Sequence, residues 1–246
     1  MSKIPVIKPA GETAVTVEFE NRIDLEVNRR VNSFSGQIEK AHIDGIRELI
    51  PTYRSLMVHY APDVIGYRKL CETLYELLKT NPEDASLSRE VLVIPVLYGG
   101  EYGPDLGDVA RREKISEQEV IRRHSRQESF VYMVGFSPGN AYIGSPKKTF
   151  SVPRRPEPRV KIPQGSITIW ESQTTIFPMD QPGGWNVIGR TPLKMFDLNR
   201  KDIFLLRAGR WVKFEPITEN EYMQIKREVE ENRYKYRLYE KKEAML

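Results

Sequence analysis

Between Tyr98 and Asp197 the chain gathers residue types suited to binding and proton transfer, without the regular spacing of a simple core. The run Gly99-Gly100-Glu101-Tyr102-Gly103-Pro104-Asp105 is a glycine-rich turn feeding a helix start. Such a turn can present backbone N–H groups to an anion. It also reads as a tight turn with Asp105 as helix N-cap, the reading its local pattern favours. His124 follows Arg122-Arg123 on the apolar side of a helix. Most histidines so placed are satisfied core residues, whereas a helix C-terminus favours a charged imidazolium suited to proton transfer. Gly135-Phe136-Ser137-Pro138-Gly139-Asn140-Ala141-Tyr142 is a loop with a permissive backbone and aromatic edges. Beyond it, Arg154, Arg155 and Arg159 stand among prolines, whose fixed φ holds the guanidiniums at low entropic cost. Fixed arginines suit carboxylate or phosphate recognition; a solvated basic loop is the alternative. Finally, Gln173-Thr174-Thr175 and the run from Gln181-Pro182-Gly183-Gly184-Trp185 to Gly189-Arg190-Thr191-Pro192 are too particular for ordinary hairpins. Gln173 and Arg190 are expected to offer polar groups to one cleft.

Two kinds of element must position these groups. Up to about residue 80, apolar residues alternate over Thr13–Phe19, recur at helical steps through Val27, Val31, Phe34 and Ile38, and form two strands around Pro51. A second stripe, Tyr67, Leu70, Leu74 and Leu77, stops before Asn81-Pro82. Two helices on one small antiparallel sheet, an α+β sandwich of ferredoxin-like type, is the economical solution. The polar stretch Asn81–Arg89 marks a boundary, so residues 1–84 are read as this domain. Short strand-like runs then crowd the sequence: Val91–Leu97, Phe130–Val134, Ile167–Trp170, Thr174–Phe177, Trp185–Ile188, Ile203–Arg207 and Trp211–Glu215. They argue for a β-barrel or sandwich over 85–217. Two short helices interrupt it, the second carrying a capping box of Ser116 and Glu119. Tyr222, Ile225, Val229, Tyr236 and Tyr239 then make a sparse stripe, and residues 218–246 are read as a C-terminal helix, solvated and packed on the body or binding a partner.

Composition excludes several function classes. The chain has 246 residues, one cysteine (Cys71) and three histidines, so an intramolecular disulfide is impossible and no usual zinc spacing occurs. No metal site is expected. A formal charge of +4 is too small over this length to imply nucleic acid. No run approaches a membrane span or a leader, so a cytoplasmic location is expected. There is no GxxxxGK[ST] motif and hence no Walker-type nucleotide loop.

Several stretches together carry a resemblance. They are Pro51-Thr-Tyr-Arg-Ser-Leu-Met-Val-His-Tyr60, Tyr98-Gly-Gly-Glu-Tyr-Gly-Pro-Asp-Leu106, Arg123-His-Ser125, Tyr132-Met-Val-Gly-Phe-Ser-Pro-Gly139, Pro153-Arg-Arg155, Ile162-Pro-Gln-Gly-Ser166, Gln173-Thr174 and Pro182-Gly-Gly-Trp-Asn-Val-Ile-Gly-Arg-Thr-Pro192. In this order the sequence resembles the family that contains the B-type subunit of the bacterial ATP-dependent 5-oxoprolinase, the sporulation kinase inhibitor KipI, and proteins labelled allophanate hydrolase subunit 1. The resemblance implies a small α+β N-terminal domain followed by a cyclophilin-like β-barrel. It implies a second cyclophilin-like subunit of C type and a lactam-utilisation subunit of A type as partners. ATP would enter at the level of that complex, which opens the lactam of 5-oxoproline to L-glutamate. The alternatives it leaves are a kinase inhibitor, whose cleft grips a segment of another protein, and a subunit of an allophanate hydrolase or urea carboxylase-type carboxyltransferase.

Carried over position by position, the resemblance implies Glu101, Asp105, His124, Pro138, Gly139, Arg154, Arg155, Gln173 and Arg190 as lining of the barrel cleft. His124 would be the acid/base or polarising group, with Gln173 and Arg190 orienting the substrate; the same residues could instead brace the fold or a subunit interface. The sequence departs from the family's pattern at Asn140-Ala141, where a bulky aromatic is usual, and at Trp170-Glu171-Ser172, where glycines are usual. Glu171 would repel an anionic ligand placed beside it.

Overall fold

A computed structural model describes residues 5–80, 89–145 and 149–241. The boundary expected at 84/85 lies outside the described residues. The chain divides into two compact units, Met1–Leu87 and Ser88–Leu246.

The first unit runs β1 (Val6–Pro9), β2 (Ala14–Glu18), α1 (Leu25–Ala41), β3 (Ile46–Pro51), β4 (Ser55–Tyr60) and α2 (Tyr67–Lys79). Its sheet is antiparallel, in the order β1-β2-β4-β3. The edge strand that a ferredoxin-like unit takes from after its second helix is here supplied by the N-terminal β1. Alternation explains the packing: Val15, Val17, Leu56 and Val58 are fully buried and meet Val31, Phe34, Leu70 and Leu74 of the helices. Asp24 caps α1 by accepting from the N–H groups of Glu26 and Val27. The helix ends at His42 in the left-handed region, before Gly45.

The second unit is a closed barrel. It is built from β5 (Glu90–Tyr98), β6 (Ser129–Val134), β7 (Ala141–Gly144), β9 (Ser166–Trp170), β10 (Gln173–Ile176), β12 (Asn186–Arg190) and β13 (Trp211–Pro216). The order is β12-β9-β10-β7-β6-β13-β5, and pairing of Gly189 and Arg190 with Tyr98 and Leu97 joins β12 back to β5. Closure removes the exposed edges that seven such strands would otherwise present. Its interior is apolar, with Ile94, Val131, Ile143, Ile167, Ile169 and Phe214 buried. Two short strands, β8 (Arg159–Ile162) and β11 (Gln181–Gly183), pair with each other outside the barrel. Between β5 and β6 lie α3 (Leu106–Glu113) and α4 (Glu117–Ser125).

Four expectations are corrected here. Ile203–Arg207 is not a strand; it holds only an isolated bridge from Phe204 to Phe196. Ser116 caps α4 through the Glu119 N–H, but the Glu119 carboxylate is taken by Arg122 and Arg123 instead of completing a box. The C-terminal helix α5 spans only Glu219–Glu230. Asn232 then turns with φ 54°, and Leu238–Glu240 form β14, which pairs with the start of β5. The tyrosines at 236 and 239 therefore belong to this returning strap and not to the helix. Asp105 precedes α3, yet its side chain makes no capping bond. No helix among the described residues is long and apolar enough to cross a membrane.

Candidate functional site

Two N–H groups of the Gly99–Gly103 turn are spent on the protein itself. Gly99 donates to the Ile188 carbonyl at 3.1 Å and Gly103 to the Gly99 carbonyl at 2.8 Å. A Cβ on Gly103 would stand 2.1 Å from the Ile188 oxygen, so only glycine fits where this turn presses on β12. The turn delivers Asp105 into the protein, where its carboxylate is 2% exposed. Arg155 donates to it at 2.6 Å, Arg159 donates twice at 2.6 and 2.8 Å, and the Val187 N–H donates at 2.7 Å. Two guanidiniums and a backbone donor outcompete the helix terminus for this carboxylate, which is why it does not cap. Asp105 thus ties the proline-fixed loop to β12. Arg155 is absorbed by that clamp, and Glu101 is exposed on the turn.

His124 is buried inside the second unit. Its Nδ1 lies 2.7 Å from the Tyr98 hydroxyl, its Nε2 lies 3.1 Å from the Thr174 hydroxyl, and its ring packs 4.3 Å from that of Phe214. Burial pushes its pKa down to about 3, so the imidazole is neutral near pH 7 and the helix terminus does not charge it. Between two hydroxyls it can donate one hydrogen bond and accept the other. Among the described residues, Gln173 and Arg190 line no common cleft. Gln173 is registered opposite Trp170 at one end of β9, and Arg190 opposite Ser166 at the other. Four residues of strand separate those positions by about 13 Å.

What the fold brings together instead is an aromatic cleft of about 180 Å³. Arg154 lies across the Trp170 ring at 4.2 Å, and its guanidinium has no hydrogen bond or ion pair among the described residues. Trp170 in turn meets Trp185, which meets Tyr142. Phe136 stands on the rim, 80% exposed and at φ 75°. A bulky residue in that region stores strain of about 1–3 kcal/mol, a cost concentrated at binding loops. Gln181 also lines the cleft, and its buried Nε2 has no hydrogen-bond partner. Among the described residues, no acidic side chain lines this cleft.

The loop behind it is braced by Asn140. Its Nδ2 donates to the Gly135 carbonyl at 3.1 Å, and its Oδ1 accepts from the Thr175 hydroxyl at 2.9 Å. That is what the departure from an aromatic achieves here. Pro138 is exposed and Gly139 buried. Gly139 has φ 81°, and a Cβ there would meet Phe196 at 3.0 Å, so both residues shape the loop and neither lines the cleft. Glu171 forms the exposed turn between β9 and β10 and lines neither this cleft nor the cavity beneath α5. Of the residues expected at the site, only Arg154 reaches the cleft. Gln181, Tyr142 and Trp185 join it there. All three stand inside the two loop runs that the sequence sets apart, but nothing in their spacing marks them as lining one cleft.

A second cavity, of about 230 Å³, lies between α5 and the 163–194 segment. Arg190 lines it, together with Gln164, Asp180, Lys194 and, from α5, Tyr222 and Lys226.

Residues 5–206 match the family described as carboxyltransferase domain, subdomain C and D. The chain is 38% identical over 232 residues to the B-type subunit of 5-oxoprolinase from Bacillus subtilis, covering 90% of this chain and 97% of that protein. A conserved uncharacterized protein from Pyrococcus horikoshii, of known crystal structure, is 38% identical; the match covers 88% of this chain and all of that one, with a TM-score of 0.53. The Kluyveromyces lactis urea amidolyase superposes with a TM-score of 0.82 at 18% identity, over 96% of this chain and 16% of that one. That last likeness is one of fold.

Proposed function

The chain belongs to the carboxyltransferase-domain family of subdomains C and D, and we propose that it works as the B-type subunit of an ATP-dependent 5-oxoprolinase complex. The observation that carries this reading is the 38% identity to such a subunit across nearly its whole length. The aromatic cleft supports it chemically. A five-membered lactam carrying one carboxylate is flat, polar at its edge and singly charged. Arg154, held against Trp170, suits the carboxylate. The unpartnered Gln181 Nε2 suits the lactam oxygen, since a buried donor without an acceptor is costly until a ligand supplies one. Tyr142, Trp185 and Phe136 offer ring faces to the flat substrate and keep water out.

In such a complex the γ-phosphoryl group of ATP passes to the lactam oxygen, releasing ADP. Water then adds to the activated carbon and the ring C–N bond breaks, leaving a γ-glutamyl phosphate, which a second water hydrolyses to L-glutamate and phosphate. Developing charge on the lactam oxygen is what a positioned N–H donor stabilises. The sequence has no Walker-type nucleotide loop, which fits a nucleotide site shared between subunits or placed elsewhere in a complex with a C-type cyclophilin-like partner and an A-type lactam-utilisation partner.

The test is co-expression of this chain with those two subunits. The assembled complex should hydrolyse ATP only when 5-oxo-L-proline is present, and the isolated chain should not. Arg154→Gln should lower the rate at least tenfold, about 1.4 kcal/mol of transition-state binding, without preventing assembly. A complex that assembles and ignores 5-oxoproline sinks the reading, and inhibition of a histidine kinase by the same chain would replace it.

A further inference from the structure

The cavity beneath α5 has a composition of its own. Arg190 places its guanidinium over the Tyr102 ring at 5.4 Å. It makes no side-chain hydrogen bond or ion pair among the described residues, and its Nε is buried without a partner. A half-buried guanidinium left this way is expensive unless an anion completes it. The other charges around the cavity are already matched. Lys161 binds Asp180 at 2.7 Å, Lys226 faces Glu230 at 3.9 Å, and Lys194 faces Asp197 at 3.7 Å. With those pairs cancelled, one positive charge remains, on Arg190. Asp180 lies close enough to Arg190 for their charges to interact, so the cavity offers no more than one positive charge to a ligand.

The cavity also owes part of its wall to residues beyond the family match. Tyr222, Lys226, Val229 and Glu230 line it from α5, whereas the match ends at residue 206. The capping box of Thr218 and Glu221 fixes the start of that helix.

We propose that this cavity is a second binding site, separate from the aromatic cleft, that takes a small monocarboxylate on the Arg190 guanidinium. The planar fork accepts a carboxylate in the geometry that Nε and one Nη offer together. One remaining positive charge matches one carboxylate better than a dianion such as phosphate. This assignment stands whether or not the aromatic cleft binds a lactam.

The experiment follows the Arg190 Nε–H resonance in the full-length chain, assigned by its loss in Arg190→Lys. Titration with acetate, and separately with 5-oxo-L-proline, should shift that resonance saturably. Inorganic phosphate at pH 8 should bind at least tenfold more weakly by the same signal. Arg154→Gln should leave the shift unchanged, which separates this site from the aromatic cleft. Lys226→Trp, placing a bulky ring on the cavity wall while keeping Arg190, should abolish it. If neither carboxylate moves the resonance, if phosphate binds as well as they do, or if Lys226→Trp still binds normally, the proposal is overturned.

Discussion

The aromatic cleft and the cavity beneath α5 present the same chemical group, an arginine laid on a ring and free of hydrogen bonds among the described residues, in two different electrostatic settings. Arg154 lies over Trp170, and no acidic side chain among the described residues lines its cleft. Arg190 lies over Tyr102 with Asp180 and Glu230 nearby. A guanidinium alone therefore does not specify a ligand; its neighbours set how much negative charge it tolerates. The two also differ in origin. The aromatic cleft is lined by residues between Phe136 and Trp185, whereas the other joins the 163–194 segment to a helix some thirty residues further on.

The largest change that should separate them is at Asp105. Its buried carboxylate holds Arg155, Arg159 and the Val187 N–H, so Asp105→Asn leaves two guanidiniums uncompensated. Breaking a buried pair from one side costs about 3–5 kcal/mol, and the lower end applies here because both arginines keep roughly a quarter of their exposure. Urea denaturation should report that loss. The loop carrying Arg154 should loosen, so the aromatic cleft should fail before the Arg190 resonance changes.

A perturbation of the shared barrel should instead strike both regions together. His124 is neutral and buried, with its pKa about 3 against an ordinary 6.5. The unfolded chain therefore takes up this proton first, and stability falls as pH drops from about 6.5 toward 3. The slope from this one group is about 1.4 kcal/mol per pH unit. Denaturation between pH 7 and 4.5 should show His124→Gln losing less stability than the unaltered chain. Equal slopes would mean the imidazole is not sealed as described.

The smallest effect is reserved for the cavity's helical wall. Thr218→Ala removes the α5 cap, worth about 1 kcal/mol, and touches nothing in the aromatic cleft. Hydrogen exchange should quicken in α5 alone, and carboxylate-induced shifts at Arg190 should weaken while ligand binding at the aromatic cleft holds.

Much of the architecture is legible in the sequence because local rules point the same way. Alternation through Val15 and Val17, the helical stripe from Val27 to Ile38, and the density of short strands after residue 90 all correspond to elements of the fold. Short elements such as β8 and β11 escape such reading because three or four residues beside prolines carry no period. The C-terminal stripe misleads: its aromatic spacing continues past Glu230 although Asn232 turns the chain back into a strand. Site residues are harder still. Arg154 stands out from its setting among prolines, but Asp105, His124 and Gln173 have the same residue types whether they brace or react.

The sequence by itself determined the two-part division of apolar patterning, a β-rich second part, the lack of a Walker-type loop and the family resemblance, since these follow from composition, period and motif. The choice of a barrel over a sandwich came with the resemblance and is realised in the closure of β12 on β5. Only the tertiary structure decided where the polar groups went. Register set Gln173 and Arg190 at opposite ends of β9, burial keeps His124 neutral well below its ordinary pKa, and two arginines claimed the carboxylate of Asp105. Those outcomes depend on long-range neighbours and the local dielectric, which no spacing along the chain encodes.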